Sequence, residues 1–564
     1  MFHVSQLKKK VGDLVSSNPD LPRVRPDGQF LVYPVAVLER KLVKRHNSAV
    51  VQFLVQWSNA GPKDATWEDS SSFGQLTLRQ AVLAMALKLE KEAVDHHVLM
   101  VAFSFQGHIN PLLRLGKRLV SKGLNVTLAT TEVAKHSMLK SFTTGDGDGS
   151  SSATTSSVSD IQLLFYSDGF DMNYDRKTNL DEYLENLGKV GPISFSKLIQ
   201  EHYHDNQKKL SCIISNTFVP WVADVAAEHG IPCAMLWIQP CSLYAIYYRF
   251  YNNLNQFPTL ENPDLSVELP GLPVLSTQDL PSFVLPSNTF ESFTKLFTKL
   301  FTSMKKYNWV FANSFLEFEK EAIDSMSELC PILPVGPLVP PSLLGQDESL
   351  DIGIQLWKPE YTCLEWLNNQ ADSSVIYVSF GSLIDLSAKE MEAIATALKN
   401  SKHPFLWVVK EPDFPTADKS GEIPLGFSEE TEKQGLMVSW SPQTKVLAHP
   451  AIACFLTHCG WNSTLETISA GVPVIAYPQW TDQPTNAKLV TDVVKIGVRL
   501  RPNSDGFVDS KEVEKCIGEI INGAKSEEYK KNALELKLAT REAVTFGGSS
   551  DRNIQLFVDE ITRV

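Results

Sequence analysis

The sequence predicts an α/β chain with two parallel-sheet domains behind a small sheet-and-helix head. Three observations predict it. In the regions 97–130 and 435–478, apolar runs of strand length alternate with helical stretches, the wiring of βαβ units. In both regions the polar residues of interest stand at element ends, beside glycine turns. Residues 1 to about 80 instead carry short strands that alternate polar and apolar residues, the pattern of half-buried antiparallel sheet.

Taken in order, the head spans residues 1–80. Pro34–Arg40 and Val50–Trp57 read as strands, followed by Ala65–Glu68 and a helix from about Leu76 to Leu89, which makes 81–95 a helical connector. The first large domain covers 96–340. His97–Phe103 is its first buried strand, and Gly107–Pro111 turns into a helix bearing Leu112, Leu115 and Leu119. Asn110 is expected to cap that helix, with Pro111 in its first turn. Gly123 stops it and Leu124–Thr130 is the next strand. Residues 143–160 are small, polar and aperiodic, the composition of a mobile surface loop. Cys212–Ser215 and Ile231–Trp237 are further strands, and 252–290 is turn-rich. A linker is placed at 341–360, within the proline-rich run that starts near Val335. The second large domain, 361–564, opens with the strand Ser374–Phe380. Ser387 and Glu390 form a capping box for its next helix, and Gly547–Asp551 precedes a final amphipathic helix.

The chemistry concentrates between Trp440 and Gln483. Gly435–Trp440, Ala453–His458 and Val472–Pro478 read as strands, with Pro442 opening one intervening helix and Cys459–Ser463 turning into a second that runs to about Ala470. A parallel sheet so wired holds its ligand at the carboxyl ends of the strands. Free N–H groups at the start of the second helix would face an anion, most naturally phosphate. Asn462 and Ser463 offer capping groups there, and His458 a donor from the preceding strand end. Glu466 lies one turn beyond Asn462, placed to accept from a ribose diol, and Trp440 can stack on a base. These residues point to a nucleoside diphosphate.

The stretch resembles the plant secondary-product box of the family 1 UDP-sugar glycosyltransferases, with that box's 44 residues from Trp440 to Gln483. The resemblance covers about residues 96–564. It implies the GT-B fold: two Rossmann-like domains facing a cleft, with 252–290 lining the acceptor side and the final helix crossing back onto the first domain. It further implies that Trp440 stacks on uracil, Gln443 helps hold it and Glu466 binds the ribose. His458, Asn462 and Ser463 would bind the diphosphate, with an additional contact from the Gly381–Ser382 loop. Trp461 (through its backbone), Asp482 and Gln483 would face the sugar. Gln483 at the end of the box goes with UDP-glucose as donor, and no metal or other cofactor is implied.

The first-domain stretch Gln106–Pro111 matches the family's catalytic turn and makes His108 the base of an inverting transfer. Its place at a helix N-terminus disfavours the imidazolium, so the ring remains an acceptor near neutral pH. Many relatives set an Asp beside that base. This chain has Asn216, in the run Asn216–Trp221 that resembles the subgroup making glucose esters of carboxylic acids. A phenol or flavonoid O-glucosyltransferase is the alternative.

The head, together with Phe2–Lys8, resembles the chromo-like tail of a gypsy-type retrotransposon polyprotein. A methyl-lysine reader needs an aromatic cage. The cage positions fall near Val32, Trp57 and Ala60, with Tyr33 available on a shifted register, so a working reader is not expected. The head reads as a fusion remnant or gene-model artefact, and chromatin or nucleic-acid binding is the competing function from another class. Charge argues against that class: residues 1–95 carry +3 of a total of −13, leaving an acidic body. No apolar run reaches membrane-spanning length and the N-terminus lacks a signal peptide's apolar core, so a cytoplasmic enzyme without membrane contact is expected. The eight cysteines show no CxxC pair and are expected to be reduced. The expected partners are UDP-glucose and a small acceptor, with no nucleic acid, and the protein is expected to be a monomer.

Overall fold

The computed structural model describes residues 34–45, 48–57, 65–69, 96–135, 138, 157–158, 160–176, 179–348, 351–354, 361–381, 384–410 and 420–563. Residues 1–94 and 95–564 form separate compact units. In the first, β1 (Pro34–Arg45), β2 (Ser48–Trp57) and β3 (Thr66–Asp69) pair antiparallel in the order β1-β2-β3. The strands agree with the alternating pattern. The helix expected at 76–89 and connector at 81–95, the cage positions Val32, Tyr33 and Ala60, and most of the loop expected at 143–160 lie outside the described residues.

The second unit holds two sheets. One contains β4 (His97–Val101), β5 (Asn125–Thr131), β6 (Ser157–Val158), β7 (Ile161–Tyr166), β8 (Leu210–Asn216), β9 (Cys233–Trp237), β10 (Trp309–Ala312) and β11 (Leu333–Pro334). Their order is β11-β10-β9-β8-β4-β5-β7-β6, all parallel except the β6–β7 hairpin. The other contains β12 (Val375–Ser379), β13 (Phe405–Val408), β14 (Gly435–Val438), β15 (Ile452–Thr457), β16 (Val474–Ala476) and β17 (Gly497–Arg499), parallel throughout in the order β14-β13-β12-β15-β16-β17. β4, β12 and β15 are buried at every residue, which is why they read as continuous apolar runs rather than alternating ones.

Helix α1 (Gln106–Val120) follows β4 and starts earlier than the sequence suggests. Phe105 is the residue at its N-cap, so Asn110 does not cap and Pro111 lies inside the helix. Asn110 instead receives Ile354 N–H at 2.8 Å and donates to the Ile354 carbonyl at 3.0 Å, tying α1 to the linker. Arg114 bonds Asp351 at 3.3 Å, and Arg118 donates to the carbonyls of Val335 and Pro337 at 2.7 and 2.8 Å. The Ser387–Glu390 capping box forms as expected. All eight cysteines are free thiols. The last helix, α6 (Ser549–Thr562), buries Ile554, Phe557, Val558 and Ile561 in the core beneath the first sheet, although its chain belongs to the second. That stripe at helical spacing contributes about 1.5–3 kcal/mol per side chain and clamps the two halves together. Between α1 and α6 in chain order, α2 (Cys241–Tyr251) and α3 (Glu291–Thr302) cover the first sheet, and α4 (Gln443–Leu447) and α5 (Trp461–Ala470) flank β15. No helix of the described residues is long and apolar enough to cross a membrane.

Candidate active site

Strand order locates the site before any residue is considered. In the first sheet the chain leaves β4 toward β5 and later returns to its other side as β8, and in the second it does the same at β12 and β15. Such switch points leave a crevice beyond the carboxyl ends of the two strands. His108 and Asn216 stand at the first, and the His458–Ser463 turn with Gly381 at the second. A cavity of about 640 Å³ is lined by residues from both: His108, Asn110 and Arg114 on one side, Trp440, Gln443, Asn462, Ser463 and Glu466 on the other.

The second-domain wall is internally bonded. Gln443 opens α4 and donates to Ser463 Oγ at 3.0 Å and to Glu466 Oε2 at 2.7 Å. Burial raises the Glu466 pKa, which the Gln443 bond and the nearby Arg114 charge partly offset. Gly460, rather than Asn462 or Ser463, occupies the N-cap of α5, and no side chain caps the helix. Asn462 and Ser463 therefore belong to the first turn, where backbone N–H groups lack helical partners. Pro442 likewise sits at the N-cap of α4, one place before its expected position.

The His458 ring lies between two glycines. A Cβ on Gly381 would stand 3.0 Å from it and one on Gly460 only 2.5 Å, so neither position tolerates a side chain without displacing the ring. Burial lowers the His458 pKa to about 4, leaving a neutral donor rather than a cation. Ser382 lies outside the described residues.

Four candidate residues of the box are absent from this cavity wall: His458, behind its two glycines, and Trp461, Asp482 and Gln483. The Trp461 indole is buried at the seam between the halves, donating to the Asn313 carbonyl at 2.8 Å and stacking on Phe318. Asp482 is buried, bonded by Thr481 Oγ1 at 2.8 Å and Asn486 Nδ2 at 2.7 Å, and burial raises its pKa. The Gln483 carbonyl oxygen accepts from the backbone of Gln479 and Trp480 at 2.9 and 3.2 Å, so only its amide hydrogens remain for a ligand. Their loop is stitched to the turn-rich stretch by paired Ser282–Thr481 bonds, each 2.9 Å, and by Arg499 on Asp279 at 2.8 Å.

On the first-domain side, His108 Nδ1 lies 2.9 Å from Asn216 Oδ1. The same oxygen accepts the Phe218 backbone N–H at 3.1 Å. A backbone N–H can only donate, so it fixes the amide orientation, and Nδ1 must carry the ring hydrogen. Nε2 is left with its lone pair. The ring packs edgewise on Phe218 and Phe103 at 4.7 and 5.1 Å. Its pKa is lowered to about 4, with burial the principal cause and the Asn216 bond opposing it.

The comparisons with known proteins agree with this layout. Residues 343–542 match the family described as "UDP-glucoronosyl and UDP-glucosyl transferase". UDP-glycosyltransferase 84B1 of Arabidopsis thaliana is 45% identical over 477 residues, 84% of this chain and 99% of its own. The chain belongs to the UDP-glycosyltransferase family. Gallate 1-beta-glucosyltransferase 84A24 of Punica granatum is 42% identical, covering 83% of this chain and 89% of its own. The crystal structure of Os79 from O. sativa in complex with UDP superposes with a TM-score of 0.71 at 31% identity, covering 82% of this chain and 100% of that one. The glycosyltransferase thus has the GT-B fold, and it is an enzyme of the hexosyl-transferring class. Sequence reasoning passed over Arg114 and Asp351, which also line its cavity. The spacing of Asn110, Arg114 and Arg118 along one helix face was the available signal.

Proposed function

We propose that this protein is a UDP-glucose-dependent inverting glucosyltransferase that esterifies small aromatic or indolic carboxylic acids. In this reading Trp440 stacks on uracil beside Gln443, Glu466 binds the ribose, and His458, Asn462, Ser463 and Ser382 hold the diphosphate. The Trp461 backbone, Asp482 and Gln483 serve the glucose. Leaving-group charge develops at the first turn of α5, where unpaired N–H groups stabilise it.

The observation that carries the acceptor class is the His108–Asn216 pair. A phenol with pKa about 10 must surrender a proton to a base, whereas a carboxylic acid with pKa about 4 arrives ionised. An imidazole held near pKa 4 is a weak base for the first task. The second needs no base. A docked carboxylate favours a proton on Nε2, which then donates to the acceptor while Nδ1–H stays on Asn216. An Asp at 216 would neutralise that imidazolium and repel the acceptor, and Asn does neither. The carboxylate oxygen then attacks the anomeric carbon as the bond to the UDP oxygen breaks, giving ester and UDP with no net proton released by the acceptor. The name of the Punica granatum relative, a gallate glucosyltransferase, supports the same class.

We also infer that residues 1–80 are a chromo-like remnant outside the transfer machinery, a reading supported by the antiparallel order of β1, β2 and β3. Carboxylic and phenolic acceptors, offered with UDP-glucose and UDP-galactose and followed by mass spectrometry, test the proposal. Alkali-labile products from carboxylates and a higher kcat/KM for UDP-glucose are expected. Alkali-stable glycosides alone, with carboxylates untouched, would overturn it.

A further inference from the structure

In an α-helix each carbonyl accepts from the N–H four residues on. For Gly107 that donor would belong to residue 111, but Pro111 inside α1 has none, and its ring crowds the Gly107 carbonyl outward. The carbonyl is met from across the cleft, by Asn462 Nδ2 at 3.1 Å. Glycine at 107 permits the approach, because a Cβ there would stand 3.1 Å from the same nitrogen. Three residues thus act together. One frees a carbonyl, one keeps the path to it open, and one reaches it from the first turn of α5.

We propose that Gly107, Pro111 and Asn462 form a latch that sets His108 against the sugar donor, with Pro111 a positioning residue acting through the Gly107 carbonyl. The inference rests on the reading of His108 and Asn462 given under the proposed function. Asn462 has two amide hydrogens, so one can hold Gly107 while the other meets a phosphate oxygen, giving acceptor and donor sites a common reference. The rest of α1 is held to the linker by Asn110 and Arg114 and to the Val335 carbonyl by Arg118, so losing the latch loosens only the first turn.

The test is steady-state kinetics and thermal unfolding of the full chain. Alanine at 111 restores the helical N–H and is a far better helix former, so Pro111→Ala should keep or raise Tm. If the latch positions His108, kcat falls about five- to tenfold in Pro111→Ala while KM for UDP-glucose changes less than about twofold. In an Asn462→Ala background the same substitution should have no further effect on kcat. Gly107→Ala, which crowds Asn462 without touching the proline, should lower kcat similarly and decides the matter if Pro111→Ala folds poorly. Wild-type kcat in the folded latch variants, or an equal loss from Pro111→Ala with and without Asn462, overturns the latch. His108→Ala separates the two failures. If it retains transfer, the reading of His108 is wrong, and if it abolishes transfer while the latch variants run normally, only the latch is.

Discussion

At the switch point between β12 and β15, the cavity wall carries polar side chains already bonded to one another, Gln443 to Ser463 and Glu466, and behind it His458 is fixed between glycines. The matching point between β4 and β8 carries the polar pair His108 and Asn216, set among Phe103, Phe105 and Phe218. Behind it, Phe293 and Phe297 of α3 pack on Phe218, and the buried hydroxyls of Tyr247 and Tyr251 have no hydrogen-bond partner among the described residues. A bonded wall holds its shape before a ligand comes and discriminates by leaving mismatched groups unpaired. An aromatic wall offers area and adaptability instead. In the proposed reading, the bonded wall serves a constant nucleotide and the aromatic wall a variable acceptor.

The largest expected effect breaks the donor wall. Glu466→Ala removes the acceptor of the Gln443 amide and, in the proposed reading, of the ribose diol. Loss of a charge-assisted hydrogen bond corresponds to about a tenfold to hundredfold rise in KM for UDP-glucose, with the order of preference among acceptors unchanged. A changed acceptor order in that variant would show that the two walls are not separable.

A smaller change sharpens the acceptor side. Asn216→Asp places a carboxylate on His108 Nδ1–H, which favours the imidazolium and raises the ring's pKa from about 4. The base is needed in its neutral form, so the acid limb of kcat/KM for a phenol should move to higher pH. Above that limb phenol transfer should rise about threefold to tenfold, because a stronger base is a better proton acceptor, and carboxylate transfer should fall, because the Asp charge repels the anionic acceptor. The pH profiles of wild type and variant on one phenol and one carboxylate give the answer. Coincident acid limbs would mean that Asn216 does not set the charge state of His108.

These contrasts also explain what could be read before the structure. Buried parallel strands are uninterrupted apolar runs bounded by glycine turns, so the sheets and the donor box were legible, and Gln443, Ser463 and Glu466 do converge. The start of α1 was not. Asn110–Pro111 has the local chemistry of a helix start, and the helix passes through it because the carbonyl that Pro111 leaves free finds Asn462, 355 positions away. The same limit hid Asp351 from Arg114, 237 positions apart. Box membership likewise could not show that the Gln483 oxygen is consumed by its own loop, since those contacts depend on how the chain turns after β16.

The smallest expected effect separates both walls from the head. Residues 1–94 form a compact unit of their own, and every described member of the four hydrophobic cores of residues 95–564 lies at Val98 or later. β4, the first strand of the large unit, takes its pairing from β5 and β8, so its register is set without the head. None of the residues lining the donor cavity precedes Phe105. A protein starting near Ala93 should therefore keep its Tm within about 2 °C, a shift that corresponds to about 2 kcal/mol for a chain this long, and its kcat/KM within about twofold. Thermal unfolding and transfer assays on the shortened and full chains measure both. A soluble but inactive truncated protein would make the head part of the catalytic assembly, and an insoluble one would make it part of the fold.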